Sequence, residues 1–167
     1  MNETLVEHFK QMNWANDRLL EFCGTLTDEQ LERSSPGGYG TVKDTLTHLV
    51  AAQGRYVVGI TQEPRAPDEI HESKAFAGLE RLRQDAMRSG GRLAELATSV
   101  TLETVHRTEW GGKRYERHSL VLLLQALDHA KEHRTNVTTV LAAGGIEPPP
   151  LDGWAYGEVR GFVRELR

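Results

Sequence analysis

The long apolar segment from Ser119 to Ala143 constrains the fold of this chain more than any other feature of the sequence. Its leucines, valines and alanines recur at the three- and four-residue spacing of an α-helix and cover more than half of the helix circumference. A helix that is apolar over so much of its surface has to be buried against other helices. Gly144 and Gly145 end the predicted helix, and the prolines at 148–150 prevent it from restarting.

Three further segments have the same helical period and supply partners for this helix. Thr41 and Asp44 form the pattern of a capping box, so the second of these helices is expected to begin at Thr41. In the third of these segments, Gly90 and Gly91 each lower the helix propensity by about 1 kcal/mol relative to alanine. A kink or local unwinding of the predicted helix is therefore expected at these two glycines. The predicted helices span residues 2–25, with Asn2 as N-cap, residues 41–60 and residues 73–99.

The stretches between the predicted helices break the helical pattern. Residues 61–72 contain two prolines among charged residues, and this long connection is expected to span a bundle end or to lie over a site. Residues 101–117 predict two short strands around the turn Gly111-Gly112. An isolated hairpin is only marginally stable, so it should pack on the bundle or against a second subunit. Residues 151–167 are expected to add a short final helix.

These segments predict an all-α protein: a four-helix bundle with a short β-hairpin before the last long helix, formed by residues 1–167 as a single domain. With 20 Lys and Arg against 24 Asp and Glu and no basic block, a nucleic-acid partner is not expected. The sequence has no run of the ~20 apolar residues that a membrane span needs. The residues after Met1 lack the basic flank and apolar core of a signal peptide, so none is expected. The single cysteine, Cys23, fits a reducing compartment, and a cytoplasmic location is expected.

Two histidines of the long apolar helix, His129 and His133, suggest a metal site. Residues four apart on a helix lie one turn above each other on the same face, so both imidazoles can reach one ion. A buried pair of hydrogen-bonded core histidines is the structural alternative. A transition metal needs at least a third ligand, and His48 on the second helix is the candidate. Asp44, one turn earlier, could orient the His48 ring through its other nitrogen.

Other polar residues near this pair have more ordinary interpretations. Asp128 and Glu132 flank the histidines but point to other sides of the helix, where they are expected to be solvated. Arg134 could form a structural salt bridge or meet an anionic substrate, and the structural role is favoured. Cys23 lies on an apolar stripe and is expected to be a buried, inert thiol. Three residues could line or cover the site: Tyr56 on the second helix, and Asp152 and Tyr156 in the tail.

Four stretches, spread over nearly the whole chain, resemble the DinB branch of the DinB/YfiT-like superfamily: residues 13–20, 39–49, 128–136 and 145–152. The resemblance implies a four-helix bundle with unusual up-down connectivity that is commonly dimeric. It also implies a metal held by three histidines, one from the second helix and two from the last, which correspond here to His48, His129 and His133. Many members have Gln where this chain has Asn136, which leaves the three metal ligands unchanged.

The resemblance also narrows the expected chemistry. The superfamily includes enzymes that use a low-molecular-weight thiol, as S-transferases or as a maleylpyruvate isomerase. The hypothesis is therefore a metal-dependent, homodimeric enzyme that acts on a small molecule, with a thiol as cosubstrate. A metal-dependent hydrolase and a non-catalytic metal-binding stress-response or interaction protein are the alternatives. Three imidazoles suit a divalent transition metal, with zinc or nickel preferred and iron or copper as further options.

Overall fold

The computed structural model describes residues 3–73 and 75–166, apart from the side chain of Trp110. In these ranges the chain forms six helices and one antiparallel hairpin. The helices are α1 (Glu3–Cys23), α2 (Asp28–Leu31), α3 (Val42–Thr61), α4 (Leu79–Ser99), α5 (Ser119–Ala143) and α6 (Gly153–Val159); the strands are β1 (Val105–Trp110) and β2 (Lys113–His118).

The four long helices form a closed bundle, which confirms the predicted fold class. The most extensive contacts join α1 to α4 and α3 to α5, and further contacts join α3 to α4 and α1 to α5. Each long helix therefore has two neighbours, and the apolar faces of all four meet in the interior. The capping box is present as predicted: the Thr41 hydroxyl accepts from the Asp44 amide, and the Asp44 carboxylate accepts from the Thr41 amide.

A polar layer divides the interior of the bundle into two apolar clusters. One cluster contains Leu19, Leu46, Leu82 and Val137, and the other contains Phe9, Met12, Leu93 and Leu123. Between the two clusters, where α1 and α3 also bury Ala15 and Ala52, every long helix has buried residues that are polar or lack a side chain. They are Asn13 and Asn16 on α1, Gln53 and Gly54 on α3, Gly90 on α4, and His133 and Arg134 on α5.

Gly90 allows α1 and α4 to approach each other closely at this layer. A Cβ atom at Gly90 would lie only 1.9 Å from Oδ1 of Asn13, so no larger residue fits while that side chain stays in place. The expected unwinding was wrong, because α4 is continuous from Leu79 to Ser99. The glycine serves the packing of the two helices, and its low helix propensity does not break the helix.

Two predicted boundaries of the helices were wrong. The third long helix was expected from Ser73, but α4 begins only at Leu79. The residue before it, Gly78, has φ of +89°, which is incompatible with a helix, and Phe76 belongs to the connection. The first helix was expected to reach Thr25 but ends at Cys23. The predicted N-cap Asn2 lies outside the described residues.

The hairpin and the final helix agree with the sequence prediction. Gly111 and Gly112 have φ of +58° and +72°, the left-handed values that a two-residue turn between antiparallel strands needs. Strand β2 runs into α5, and the Ser119 amide donates to the Thr104 carbonyl at this junction. The final helix α6 begins after Asp152, whose carboxylate caps it by accepting from the Ala155 amide at 2.9 Å.

The neighbouring glycines of α4 provide a matched test of the close helix approach. G90A is expected to lower the free energy of unfolding by about 1–3 kcal/mol, because its methyl group collides with Asn13. G91A has no atom within 4 Å of its new methyl group, and it is expected to raise that free energy by up to about 1 kcal/mol through helix propensity. Urea titration of the two variants measures both changes, and equal effects would contradict the packing role of Gly90.

Candidate metal centre

Three histidine side chains meet at the contact between α3 and α5. Nε2 of His129 lies 3.0 Å from Nε2 of His48 and 3.1 Å from Nε2 of His133. All three potential ligand atoms lie within 4.8 Å of one another. His48 and His129 are partly buried and His133 is buried. The structure thus brings together the three residues that the sequence predicted as metal ligands.

The local sequence explains how each ring reaches this point. The Thr41 cap fixes the start of α3, so that His48 lies nearly two turns into the helix, on the flank that faces α5. His129 and His133 are one turn apart, and their rings are 4.3 Å apart between centroids. At about 100° per residue, His48 lies beside the apolar stripe of α3 rather than on it. A residue in that position faces the neighbouring helix rather than the centre of the bundle.

The arrangement fits a metal ion better than a set of hydrogen bonds. A neutral imidazole nitrogen carries either one hydrogen or one lone pair, so mutual hydrogen bonds cannot satisfy three Nε2 atoms that meet at one place. A single cation can accept all three lone pairs. Nitrogens at the usual Zn–N distance of about 2.0–2.1 Å in tetrahedral geometry would lie roughly 3.3 Å apart, and the two short separations here are 3.0 and 3.1 Å.

The environment of His129 and His133 keeps these two imidazoles in the neutral form that binds metals. Burial, together with the neighbouring His133 and His48, lowers the pKa of His129 to about 4. Burial and the neighbouring His48 also lower the pKa of His133. Neutral imidazole is the state with a free lone pair, so protons compete little with a metal for these two ligands at neutral pH.

Glu72, and not Asp44, is the carboxylate beside His48. Its Oε2 lies 3.1 Å from Nδ1 of His48, which is an ion-pair distance without the alignment of a linear hydrogen bond. Asp44 is instead engaged in the cap of α3 by Thr41, so the orienting role expected for Asp44 was wrong. A carboxylate at Nδ1 favours a hydrogen on that nitrogen and leaves the lone pair on Nε2, toward the other histidines.

Two further side chains fix Glu72 in this position. Arg55 forms an ion pair with its Oε1, and the Tyr39 hydroxyl donates to its Oε2 at 3.2 Å. Burial alone would raise the pKa of Glu72, but the contacts with Arg55 and His48 outweigh burial and lower it to about 2. Glu72 is therefore a carboxylate at any physiological pH.

The connection between α3 and α4 carries Glu72 and is fastened to the bundle just before it. The buried Asp85 accepts from the Ile70 amide at 2.7 Å, and Arg65 donates to the Ile70 carbonyl at 2.7 Å. Arg65 lies so close to α3 that a Cβ atom at Gly54 would be 2.9 Å from its guanidinium. The connection thus lies over the side of the site, one of the two positions expected for it.

Aromatic rings cover parts of the histidine cluster. The Tyr39 ring stacks on the His48 ring at 3.8 Å between centroids with an interplanar angle of 27°. Tyr56 packs edge-on against His129 at 5.8 Å, so it lines the site as predicted. The sequence reasoning missed Tyr39, Glu72 and Arg55. The only available signal was the position of Tyr39 two residues before the Thr41 cap.

The tail lies against α1, and the expectation that it covers the site was wrong for its two named residues. Tyr156 donates to Glu7 at 2.6 Å and its ring packs against Trp14. Asp152 caps α6. Neither residue joins the group of rings around the three histidines.

The remaining predicted residues have structural positions. Asp128 and Glu132 are exposed, as expected. Cys23 is fully buried, and burial raises the pKa of its thiol to about 12, so it is inert as a nucleophile. Arg134 points away from the histidines and donates to Oδ1 of Asn16 at 2.7 Å. The salt bridge considered for Arg134 does not form with any described residue, since a neutral amide is its partner.

The fold and the histidine cluster together define a helical bundle with a three-histidine site that could hold a metal ion. A DinB family model matches residues 1–163, and the chain belongs to the DinB family. It is similar in fold to the crystal structure of a DinB-like protein from Bacillus cereus ATCC 10987, with a TM-score of 0.66 and 17% identity over 89% of this chain and 96% of that chain. A comparison with curated proteins finds no match. No described helix is long and apolar enough to cross a membrane.

Metal titration of histidine variants tests whether the three clustered histidines, and not the other histidines of the chain, bind the metal. We expect one divalent transition metal per chain, with an affinity that falls by more than about 100-fold in H48A, H129A or H133A, because each variant removes a direct ligand. H8A changes an exposed histidine of α1 and serves as the control. Metal content by mass spectrometry and competition with a chelator provide the measurement. An unchanged affinity in H129A would rule out this site.

The two candidate carboxylates near His48 can be separated in the same assay. E72Q is expected to weaken metal binding by about 10–100-fold, because His48 loses the group that orients its ring. D44N is expected to leave the metal affinity unchanged and to lower the melting temperature, because it weakens the cap of α3. The reverse pattern would assign the orienting role to Asp44.

Proposed function

We propose that this DinB-family protein is a metal-dependent enzyme in which His48, His129 and His133 bind one divalent transition metal, and that it transfers a low-molecular-weight thiol to a small electrophilic substrate. The observation that carries the proposal is the meeting of three Nε2 atoms. Among the described residues, no Cys, Asp, Glu or fourth His joins this group. Structural zinc sites use four protein ligands, whereas catalytic sites use three and keep a position open.

A metal ion at this site would supply acidification of a coordinated thiol or water. In the proposed reaction a carbon–sulfur bond forms, the bond from that carbon to its leaving group breaks, and the thiol proton passes to solvent. The protein side chains contribute orientation. Glu72 holds the His48 ring, and its pKa of about 2 makes it too weak a base to remove a proton itself. Among the described residues that contact the three histidines, none is a stronger carboxylate base than Glu72, which supports a reaction that starts from an acidified thiol.

A hydrolase remains the second candidate because the same open position would accept water. His48 and His129 are only partly buried, and the Tyr39 ring that stacks on His48 is about half exposed, which supports access for small molecules. Zinc and nickel are the preferred metals, with iron and copper as further candidates, since all of them bind imidazole. A non-catalytic metal-binding protein in a stress response or an interaction is the remaining alternative.

We also propose that the protein works as a homodimer in the cytoplasm. The support for the dimer is the hairpin, whose strand β2 is exposed along most of its length and has few contacts with the bundle. The support for the cytoplasm is the single cysteine, which fits a reducing compartment. Light scattering during size-exclusion chromatography measures the mass, and a monomer at micromolar concentration would contradict the dimer.

Turnover assays decide between the candidates. The purified metal-loaded protein is incubated with a halogenated dinitrobenzene and with glutathione, mycothiol or bacillithiol, and halide release is followed. We expect thiol-dependent turnover that is lost in H129A, because this variant removes the central ligand, and retained in H8A. Turnover of ester or amide substrates without any thiol would favour the hydrolase. Metal binding without turnover in either panel would favour the non-catalytic alternative.

A further inference from the structure

A second candidate site lies on the opposite flank of α5, between α5, α1 and the segment that leads into α6. Two described charged side chains are buried, Asp85 and Arg134. Asp85 has Arg81 and Arg88 as counter-ions. Arg134, with only 7% of its surface exposed, donates to the neutral amide of Asn16 and has no described carboxylate within ion-pair distance.

A buried guanidinium without a counter-ion is unfavourable, because one amide oxygen cannot replace the water that surrounded the charge. Arg134 also lines a cavity of about 380 Å³ and an adjoining one of about 340 Å³, which share Lys131, Leu151 and Asp152. The guanidinium has more donors than Asn16 can accept from, so donors are available to a ligand in this space. The tail is held in place here by the Gln11 side chain, which donates to the Leu151 carbonyl at 3.0 Å.

The walls of the cavity restrict the class of ligand. Met12, Leu127 and Leu151 provide an apolar lining beside the guanidinium. Lys131 and Arg134 bring two positive charges to the wall, and Asp128 and Asp152 bring two negative charges. The wall as a whole therefore carries no excess positive charge, which favours an anion with one negative charge over an anion with two. An organic acid with one carboxylate and a short apolar body satisfies both conditions, whereas inorganic phosphate does not.

We propose that this cavity binds a small monocarboxylic acid, with its carboxylate on Arg134 and its apolar part against Met12, Leu127 and Leu151. The site is separate from the histidine cluster, because Arg134 faces α1 and the histidines face α3. The proposal therefore does not depend on the proposed enzymatic function.

Calorimetric titration of the full chain with hexanoate tests this site. We expect binding of one hexanoate per chain, weakened by about tenfold or more in R134Q and in R134M, because each variant removes the charge-assisted hydrogen bonds. R134M replaces the arginine with an uncharged, apolar side chain of similar length. Two different variants are used so that a folding defect in one of them does not decide the result. R92Q, which changes an exposed arginine on α4, is expected to bind as the wild type does.

Further titrations, with other ligands and with a variant of the metal centre, identify the class of ligand and the site where it binds. Hexanamide and inorganic phosphate are expected to bind at least about tenfold more weakly than hexanoate. A tripeptide with a free carboxyl terminus tests whether a peptide end is the true source of the carboxylate. H129A is expected to retain hexanoate binding, which separates this site from the metal centre. Any one of four results would overturn the proposal: no binding at tens of millimolar, full affinity in both Arg134 variants, loss in H129A, or tighter binding of hexanamide, phosphate or the tripeptide.

Discussion

The contact between α3 and α5 is the interaction on which the rest of the site depends. It brings imidazoles from two helices to within 3.1 Å of each other, at a distance where they either share a cation or leave nitrogens unsatisfied. Buried polar atoms are normally paired, because an unpaired one loses its hydration without compensation. A cation at this position would therefore also join the two helices, and metal binding would stabilise the folded state by mass action.

The polar layer explains why a bundle of this size keeps two separate apolar clusters. Gln53 is almost fully buried, and neither atom of its side-chain amide has a partner among the described residues. Each unpaired buried group costs about 1–3 kcal/mol. A continuous apolar core would be more stable, so the layer is not explained by stability. It coincides with the level at which His133 and Arg134 leave α5 in different directions, toward the metal centre and the second cavity.

The helical bundle and the pairing of His129 with His133 were predictable because they follow from local, periodic features. The Thr41 cap, the period of the helices and the spacing of His129 and His133 each depend on residues within a few positions of one another. The start of α4 was less predictable, since the apolar residues before Leu79 continue the helical pattern while Gly78 breaks it. The role of Gly90 depends on Asn13, a residue of another helix, which sequence periodicity cannot identify.

Glu72 shows why the environment of the histidines could not be predicted in the same way. It reaches His48 from a long connection whose path is set by Asp85 and Arg65, residues that bind its backbone from α4 and from within the connection itself. Helical spacing favoured Asp44 as the residue that orients His48, but the Asp44 carboxylate is engaged in the capping box with Thr41. A side chain can satisfy one strong local hydrogen-bonding motif at a time. A carboxylate that caps a helix is therefore a poor candidate for orienting a ligand one turn later, and the partner has to come from elsewhere in the fold.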